Sequence, residues 1–187
     1  MNKSHVLNIV PTPIGNLEDI TLRSLDTLKN SDYILCEDTR VSKKLLNNYN
    51  IEVQLVSFHS FNEHKTVQKH INQILDGKAV SLISDAGTPS ISDPGFLIVR
   101  ESIKNNIEIN CLPGATALIP AIVNSGLSSE RFVFEGFLPT KKGRNKRIKN
   151  LVDEKRSIVI YESPKRILKL INDLMGLLGE DRKASIS

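Results

Sequence analysis

The chain has 187 residues, about 40% hydrophobic and 25% charged, with a formal net charge of +4. That profile is ordinary for a globular protein of one large or two small domains, and it excludes a fibrous or low-complexity chain. No apolar run approaches the ~18–20 residues that a membrane-crossing helix needs, and Met1-Asn2-Lys3-Ser4-His5 lacks the apolar core of an export signal, so a cytoplasmic location with no membrane partner is expected.

Short runs rich in Val, Ile and Leu alternate with amphipathic stretches. The runs are residues 6–10, 33–36, 53–58, 80–83 and 107–112, each short enough for a strand covered on both faces. Between them, Leu22, Leu25 and Leu28 recur at helical spacing after Thr21, and Val41, Leu45 and Leu46 follow Asp38 and Thr39. Val67, Ile71, Ile74 and Leu75 precede Gly77, a helix stop, and residues 96–103 follow Asp93-Pro94-Gly95. His64 and His70 fall in the polar third helix and are expected to face solvent. Strand alternating with helix predicts a parallel sheet with crossover helices. After Gly114 the pattern predicts a helix over 115–124 kinked at Pro120, a strand over 132–136, a basic helix over 145–151, a strand over 157–161, a helix over 164–178 and a strand beginning at 184–187.

Charge divides the chain. Residues 1–130 carry 11 Lys/Arg against 14 Asp/Glu, a net of −3; residues 131–187 carry 14 against 7, a net of +7. The fold class expected is therefore α/β with two domains, residues 1–113 and 114–187. The second is expected to be incomplete, because a domain ending on a barely started strand leaves a sheet edge open. A basic surface suits a polyanion such as nucleic acid.

Ligands in open α/β sheets bind beyond the C-terminal ends of the strands. The segments there are PTPIGN (11–16), EDTR (37–40), His59-Ser60, SDAGTPSISDPG (84–95) and PGATA (113–117). They are rich in glycine and proline and place neutral polar groups on one rim. No G-x-G-x-x-G follows the first strand and no G-x-x-x-x-G-K-[ST] occurs, which argues against a standard dinucleotide or nucleoside triphosphate site. Small residues such as Ala86, Gly87, Gly114 and Ala115 instead suit a largely uncharged nucleoside held by main-chain hydrogen bonds. Cys36 and Cys111 are the only cysteines; both lie in apolar runs and are expected to be buried thiols, and no set of Cys and His at metal spacing exists, so no metal is expected.

The segments VPTPIGNLEDITLRSL (10–25), CEDTR (36–40), SDAGTPSISDPG (84–95), LPGATA (112–117), FEGFLP (134–139) and YESPKRI (161–167) resemble, in order, those of the tetrapyrrole methylase superfamily and, within it, its branch of small-subunit ribosomal RNA methyltransferases. The resemblance implies a two-domain fold with S-adenosylmethionine in the interdomain cleft and transfer of its methyl group to the ribose 2′-hydroxyl of a cytidine in 16S RNA. It implies cofactor contacts from Ile14, Ala86, Thr88, Ile91, Thr116, Ala117 and Glu162. Its members act as homodimers on ribosomal RNA or the assembled small subunit. Such chains continue past Ser187 with an R-E-L-T-K segment. Competing readings are a precorrin or porphyrin C-methyltransferase and a non-catalytic RNA-binding protein on the same fold.

Individual residues carry further expectations. A base that takes the hydroxyl proton contributes about 10²–10⁴-fold, and the candidates are Glu37, Asp85 and Lys165. Asp93, before Pro94-Gly95, is read as a helix N-cap, and Asp38 likewise. His59 is read as a hydrogen-bonded structural residue. RNA contacts are assigned to Arg40, to Lys141, Lys142, Arg144, Lys146 and Arg147 of the basic run, and to Lys165 and Arg166. The run holds no aromatic residue, so it would position RNA rather than read bases.

Overall fold

The computed structural model describes residues 5–187; the N-terminal residues read above as carrying no export signal lie mostly outside that range. The chain divides into two compact units, Met1–Thr116 and Ala117–Ser187.

The first unit is a five-stranded, wholly parallel sheet. Its strands are β1 (Val6–Ile9), β2 (Tyr33–Cys36), β3 (Gln54–Ser57), β4 (Val80–Leu82) and β5 (Glu108–Cys111), in the order β3-β2-β4-β1-β5. The period-2 alternation of each strand divides its side chains between two cores. Leu7, Ile9, Tyr33, Leu35, Val80 and Leu82 enter one core with Val67, Ile71 and Ile74 of α3 (Glu63–Leu75) and Leu97 and Ile98 of α4 (Phe96–Lys104). Val10, Ile34, Cys36 and Ile83 enter the other with Leu28 of α1 (Leu22–Lys29) and Leu46 of α2 (Thr39–Asn48). Helices therefore cover both faces, which is why the central strands β2 and β4 are buried at every position.

Local signals set the helix starts. Thr21 Oγ1 accepts the Ser24 amide at 3.0 Å and Asp38 Oδ1 accepts the Arg40 amide at 2.8 Å, the N-caps that α1 and α2 require. By contrast, α4 begins after Gly95 with no side-chain cap, so Asp93 does not serve as the expected N-cap. His70 also departs from expectation. It is 2% exposed, and its Nδ1 lies 3.0 Å from the Tyr33 hydroxyl, because α3 turns this polar position onto the sheet beside Phe58. Burial holds its imidazole below the usual range. Of the two cysteines, Cys36 is buried but Cys111, at the end of the edge strand β5, is exposed.

The second unit holds α5 (Leu118–Asn124), the parallel pair β6 (Phe132–Phe137) and β7 (Ser157–Tyr161), α6 (Arg144–Lys149) and α7 (Ile167–Leu178), the last preceded by a 3-10 turn at Pro164–Arg166. The expected helix at 115–124 starts only at Leu118. Pro120 then falls in the first turn, where a missing N–H breaks no helical bond and no kink is needed. Residues 184–187 form no strand. The register of β6 shifts between Phe134 and Gly136, whose φ of 62° makes the glycine suited to the bulge. The core of this unit is Leu138, Ile148 and Leu170, flanked by Ile160, Ile167, Leu174 and Leu177. Among the described residues no helix is long and apolar enough to cross a membrane.

Candidate functional site

At the C-terminal rim of the five-stranded sheet, three loops are tied into one platform. The loops after β1 and β4, neighbours at the centre of the sheet, exchange backbone hydrogen bonds: the Thr12 amide donates to the Gly87 carbonyl at 2.9 Å and the Gly87 amide returns to Thr12 at 3.0 Å. Thr12 Oγ1 adds a buried bond to the Ser84 carbonyl at 3.1 Å, and Ser84 Oγ donates to Gly87 at 3.1 Å. Thr88 Oγ1 then reaches the Ala115 carbonyl at 3.1 Å, fastening the β4 loop to the loop after β5. The β1 and β5 loops also touch directly. A Cβ on Gly114 would lie 2.5 Å from Cβ and 2.9 Å from Cγ of Pro11, so only glycine allows this approach.

The platform presents apolar side chains beside main chain. Ile14 and Ile91 are 38% and 40% exposed, Ala86 is exposed, and Gly87 is buried between them. Aliphatic side chains beside open main chain offer a ligand both apolar contact and hydrogen-bond partners. Ala117 is exposed and Thr116 half-buried.

The same rim gathers negative charge. Glu37 follows β2, and burial pushes its carboxyl up, aided by Asp85 and opposed by His59. Asp93 is pushed up to about 6 by burial and by the neighbouring Glu37 and Asp85 carboxylates. Asp85 accepts the Asp38 amide through Oδ1 at 3.1 Å. Of the three candidate bases, the structure thus brings Glu37 and Asp85 together. Lys165 lies exposed in the 3-10 turn of the second unit. The residue missed from sequence is Asp93. No residue type marked it in the sequence; its loop carries two residues of positive φ, Ser90 at 71° and Ser92 at 65°, a conformation rare for residues with a Cβ. Among the described residues no three His, Cys, Asp or Glu side chains meet at metal-ligand geometry.

His59 is held locally, its Nδ1 accepting the Phe61 amide at 3.3 Å. Arg40 is an exposed partner of Asp38, at 2.6 Å, and it holds the Asp38 carboxyl down at about 2.

In the second unit the basic run separates into two kinds of residue. Lys141, Lys142, Lys146 and Arg147 are exposed, Arg147 also pairing with Glu135 at 2.6 Å. Arg144, grouped with them by sequence, is instead 5% exposed. Its Nε donates to Asp173 at 2.7 Å, and its Nη1 to the Pro139 carbonyl at 3.3 Å and Glu162 at 3.4 Å. It is a buried anchor and not part of the open cationic face expected. Glu162, expected to touch a cofactor, has a side chain only 1% exposed. Its Oε1 accepts the Ser163 amide and Arg166 Nε, both at 2.8 Å, and its Oε2 faces Arg144. Burial alone would raise this carboxyl, but the Ser163 amide and the two guanidiniums outweigh it and hold it below its ordinary range. Arg166 is thereby turned toward Glu162 as well as toward solvent.

The chain is 46% identical over 181 residues to the ribosomal RNA small subunit methyltransferase I of Thermotoga maritima, covering 97% of this chain and 81% of the relative. It is 44% identical over 183 residues to the protein of that name from Synechocystis sp., covering 97% and 66%, and 42% identical over 187 residues to that from Vibrio cholerae, covering 100% and 65%. The chain thus spans about two thirds of the length of most curated relatives it matches. Solved structures with the same fold include a diphthine synthase, with a TM-score of 0.68 at 15% identity over 90% of this chain and 71% of that one. A uroporphyrin-III-C-methyltransferase from Thermus thermophilus matches with a TM-score of 0.63 at 16% identity, over 92% and 74%. Residues 6–186 match the family described as Tetrapyrrole (Corrin/Porphyrin) Methylases, and the chain belongs to that family.

Proposed function

We propose that this chain is the core of an S-adenosylmethionine-dependent methyltransferase that acts on small-subunit ribosomal RNA, at the 2′-hydroxyl of a cytidine ribose. The observation that carries the reading is the fastened platform of the β1, β4 and β5 loops, with Ile14 and Ile91 exposed on it and carboxylates beside it, in a chain 42–46% identical to relatives named ribosomal RNA small subunit methyltransferase I. The platform fits the cofactor: it is rigid, carries no cationic side chain to hold a polyphosphate, and offers backbone groups next to aliphatic side chains. Ile14, Ala86, Thr88, Ile91, Thr116 and Ala117 are the residues proposed to hold it. Glu162 has its carboxylate engaged by Arg166, Arg144 and the Ser163 amide, and its proposed part is to brace the second unit.

When bound, S-adenosylmethionine supplies an electrophilic methyl group with its leaving group attached. The chain's part is then alignment and removal of a proton. A ribose hydroxyl is a poor nucleophile, and a carboxylate whose pKa approaches the working pH is a stronger base than an ordinary one. Asp93 joins Glu37 and Asp85 as a candidate for that role, and Lys165 is retained for the RNA side. The exposed cations Lys141, Lys142, Lys146, Arg147 and Arg40 are proposed to grip phosphates, with free ribosomal RNA or the assembled small subunit as substrate. A homodimer and a cytoplasmic location belong to the same proposal.

Calorimetric titration with S-adenosylmethionine, run beside tritium-methyl transfer to undermethylated small subunits, tests it. Saturable binding with label in a cytidine ribose is the expected outcome. Label entering a porphyrin or precorrin instead would replace the substrate, and no binding of S-adenosylmethionine would leave an RNA-binding module.

A further inference from the structure

A cavity of about 540 Å³ opens on the second unit, lined by Thr140, Lys141, Arg144, Lys146, Lys169 and Asp173 among others. It lies where α6 and α7 pack through Ile148 and Leu170, and Lys169 and Asp173 stand one turn apart on α7. Four cations face one carboxylate, and that carboxylate is already bound by Arg144 Nε at 2.7 Å. The decisive feature is Arg144. Its side chain is 6% exposed and fixed by Asp173, the Pro139 carbonyl and Glu162, yet its Nη2 is buried with no hydrogen-bond partner among the described residues. Closed off from solvent in this way, the guanidinium does not move, and it acts on the basic cavity it lines as a fixed positive charge.

The geometry points to this cavity as a seat for one backbone phosphate of an RNA strand, with Arg144 as its fixed floor and Lys146 and Lys169 as its flanking walls. The volume admits a phosphodiester with its neighbouring sugars. No aromatic side chain lines the cavity, so it cannot stack bases, and its chemistry is that of a phosphate contact that positions a strand. With its donors engaged by Asp173, Pro139 and Glu162, Arg144 contributes fixed charge, and the direct phosphate donors are Lys146 and Lys169. The assignment rests on the RNA-substrate reading above and adds to it Thr140 and Lys169, which lie outside the basic run that marks the sequence, and it gives Arg144 a role that depends on burial.

The test is fluorescence anisotropy of a labelled single-stranded RNA oligonucleotide with the full 187-residue chain, across a salt series. Lys169→Ala and Lys146→Ala are each expected to weaken binding about 5-fold and to lower the salt slope by about one. Lys155→Ala, an exposed control outside the cavity, is expected to change affinity by less than about 2-fold. Equal losses for Lys169→Ala and Lys155→Ala would mean diffuse charge and overturn the seat, as would a parent chain that does not bind RNA. Inorganic phosphate, compared with chloride at fixed ionic strength, separates the sources. Phosphate that binds in a Lys169-dependent way without displacing RNA would assign the cavity to a free phosphate and overturn the RNA assignment. Titration of the same variants with S-adenosylmethionine keeps the two readings apart: if the parent binds no cofactor while the Lys169 effect on RNA persists, the methyltransferase reading falls and the phosphate seat stands.

Discussion

The two units solve the problem of holding functional groups still by different means. In the first, apolar burial does it: β2 and β4 are buried at every position, two cores flank the sheet, and the rim loops are fastened to one another by backbone hydrogen bonds. In the second, the core cluster is only three buried aliphatic side chains, no residue of β7 is fully buried, and an ion network does much of the positioning. Main-chain hydrogen bonds on a dense core give a rigid, acid-edged platform. Guanidinium–carboxylate pairs give a basic surface with defined donors, but each depends on every partner being present.

The largest expected effect comes from breaking the network. Arg144→Ala leaves Glu162 and Asp173 without their common partner and is expected to cost about 3 kcal/mol in denaturant unfolding. A loss under about 1 kcal/mol would mean that packing, not charge, holds the second unit. On the other side of the comparison, Gly114→Ala forces a methyl group against the rigid Pro11 ring. It is expected to cost about 2 kcal/mol and to weaken S-adenosylmethionine binding at least 10-fold in calorimetry. Unchanged cofactor affinity would show that the joined loops are scaffold and not site. The smallest effect tests the acidic rim. The folded pKa of Asp93, about 6, lies above its ordinary 3.8, so its contribution to stability is complete below about pH 4 and is lost as pH rises through 6. Asp93→Asn removes that loss. Relative to the parent, the variant should gain on the order of 1 kcal/mol between pH 4 and pH 7, after allowance for solvent screening of a half-exposed group. A gap independent of pH would mean Asp93 is not held among Glu37 and Asp85.

Much of the first unit was legible in sequence because its central strands fall in apolar runs and α1 and α2 carry their own caps. Thr21 and Asp38 act locally, within three residues of the amides they accept, so no long-range information is needed to place them. The rim was legible for the same reason: Gly and Pro mark turns wherever they occur. His70 was not, since its polarity argues for solvent while its position on the inward face of α3 argues for burial, and the Tyr33 hydroxyl that reconciles the two is 37 residues away. Arg144 failed likewise: inside a run of exposed cations, nothing local distinguishes the one whose partners are Asp173 and Glu162.

By itself, then, the sequence determined the alternation of strands and helices, the caps, the opposite charge of the two halves and the motifs that mark the family, because each of these depends on residue type over a few neighbouring positions. Tertiary structure alone decided the strand order β3-β2-β4-β1-β5, the joining of Thr12 to Gly87, the gathering of Glu37, Asp85 and Asp93, and the inward turn of Arg144. Those depend on which distant segments become neighbours, and it is that neighbourhood that sets which polar groups are desolvated, which are paired and which remain free to meet a ligand.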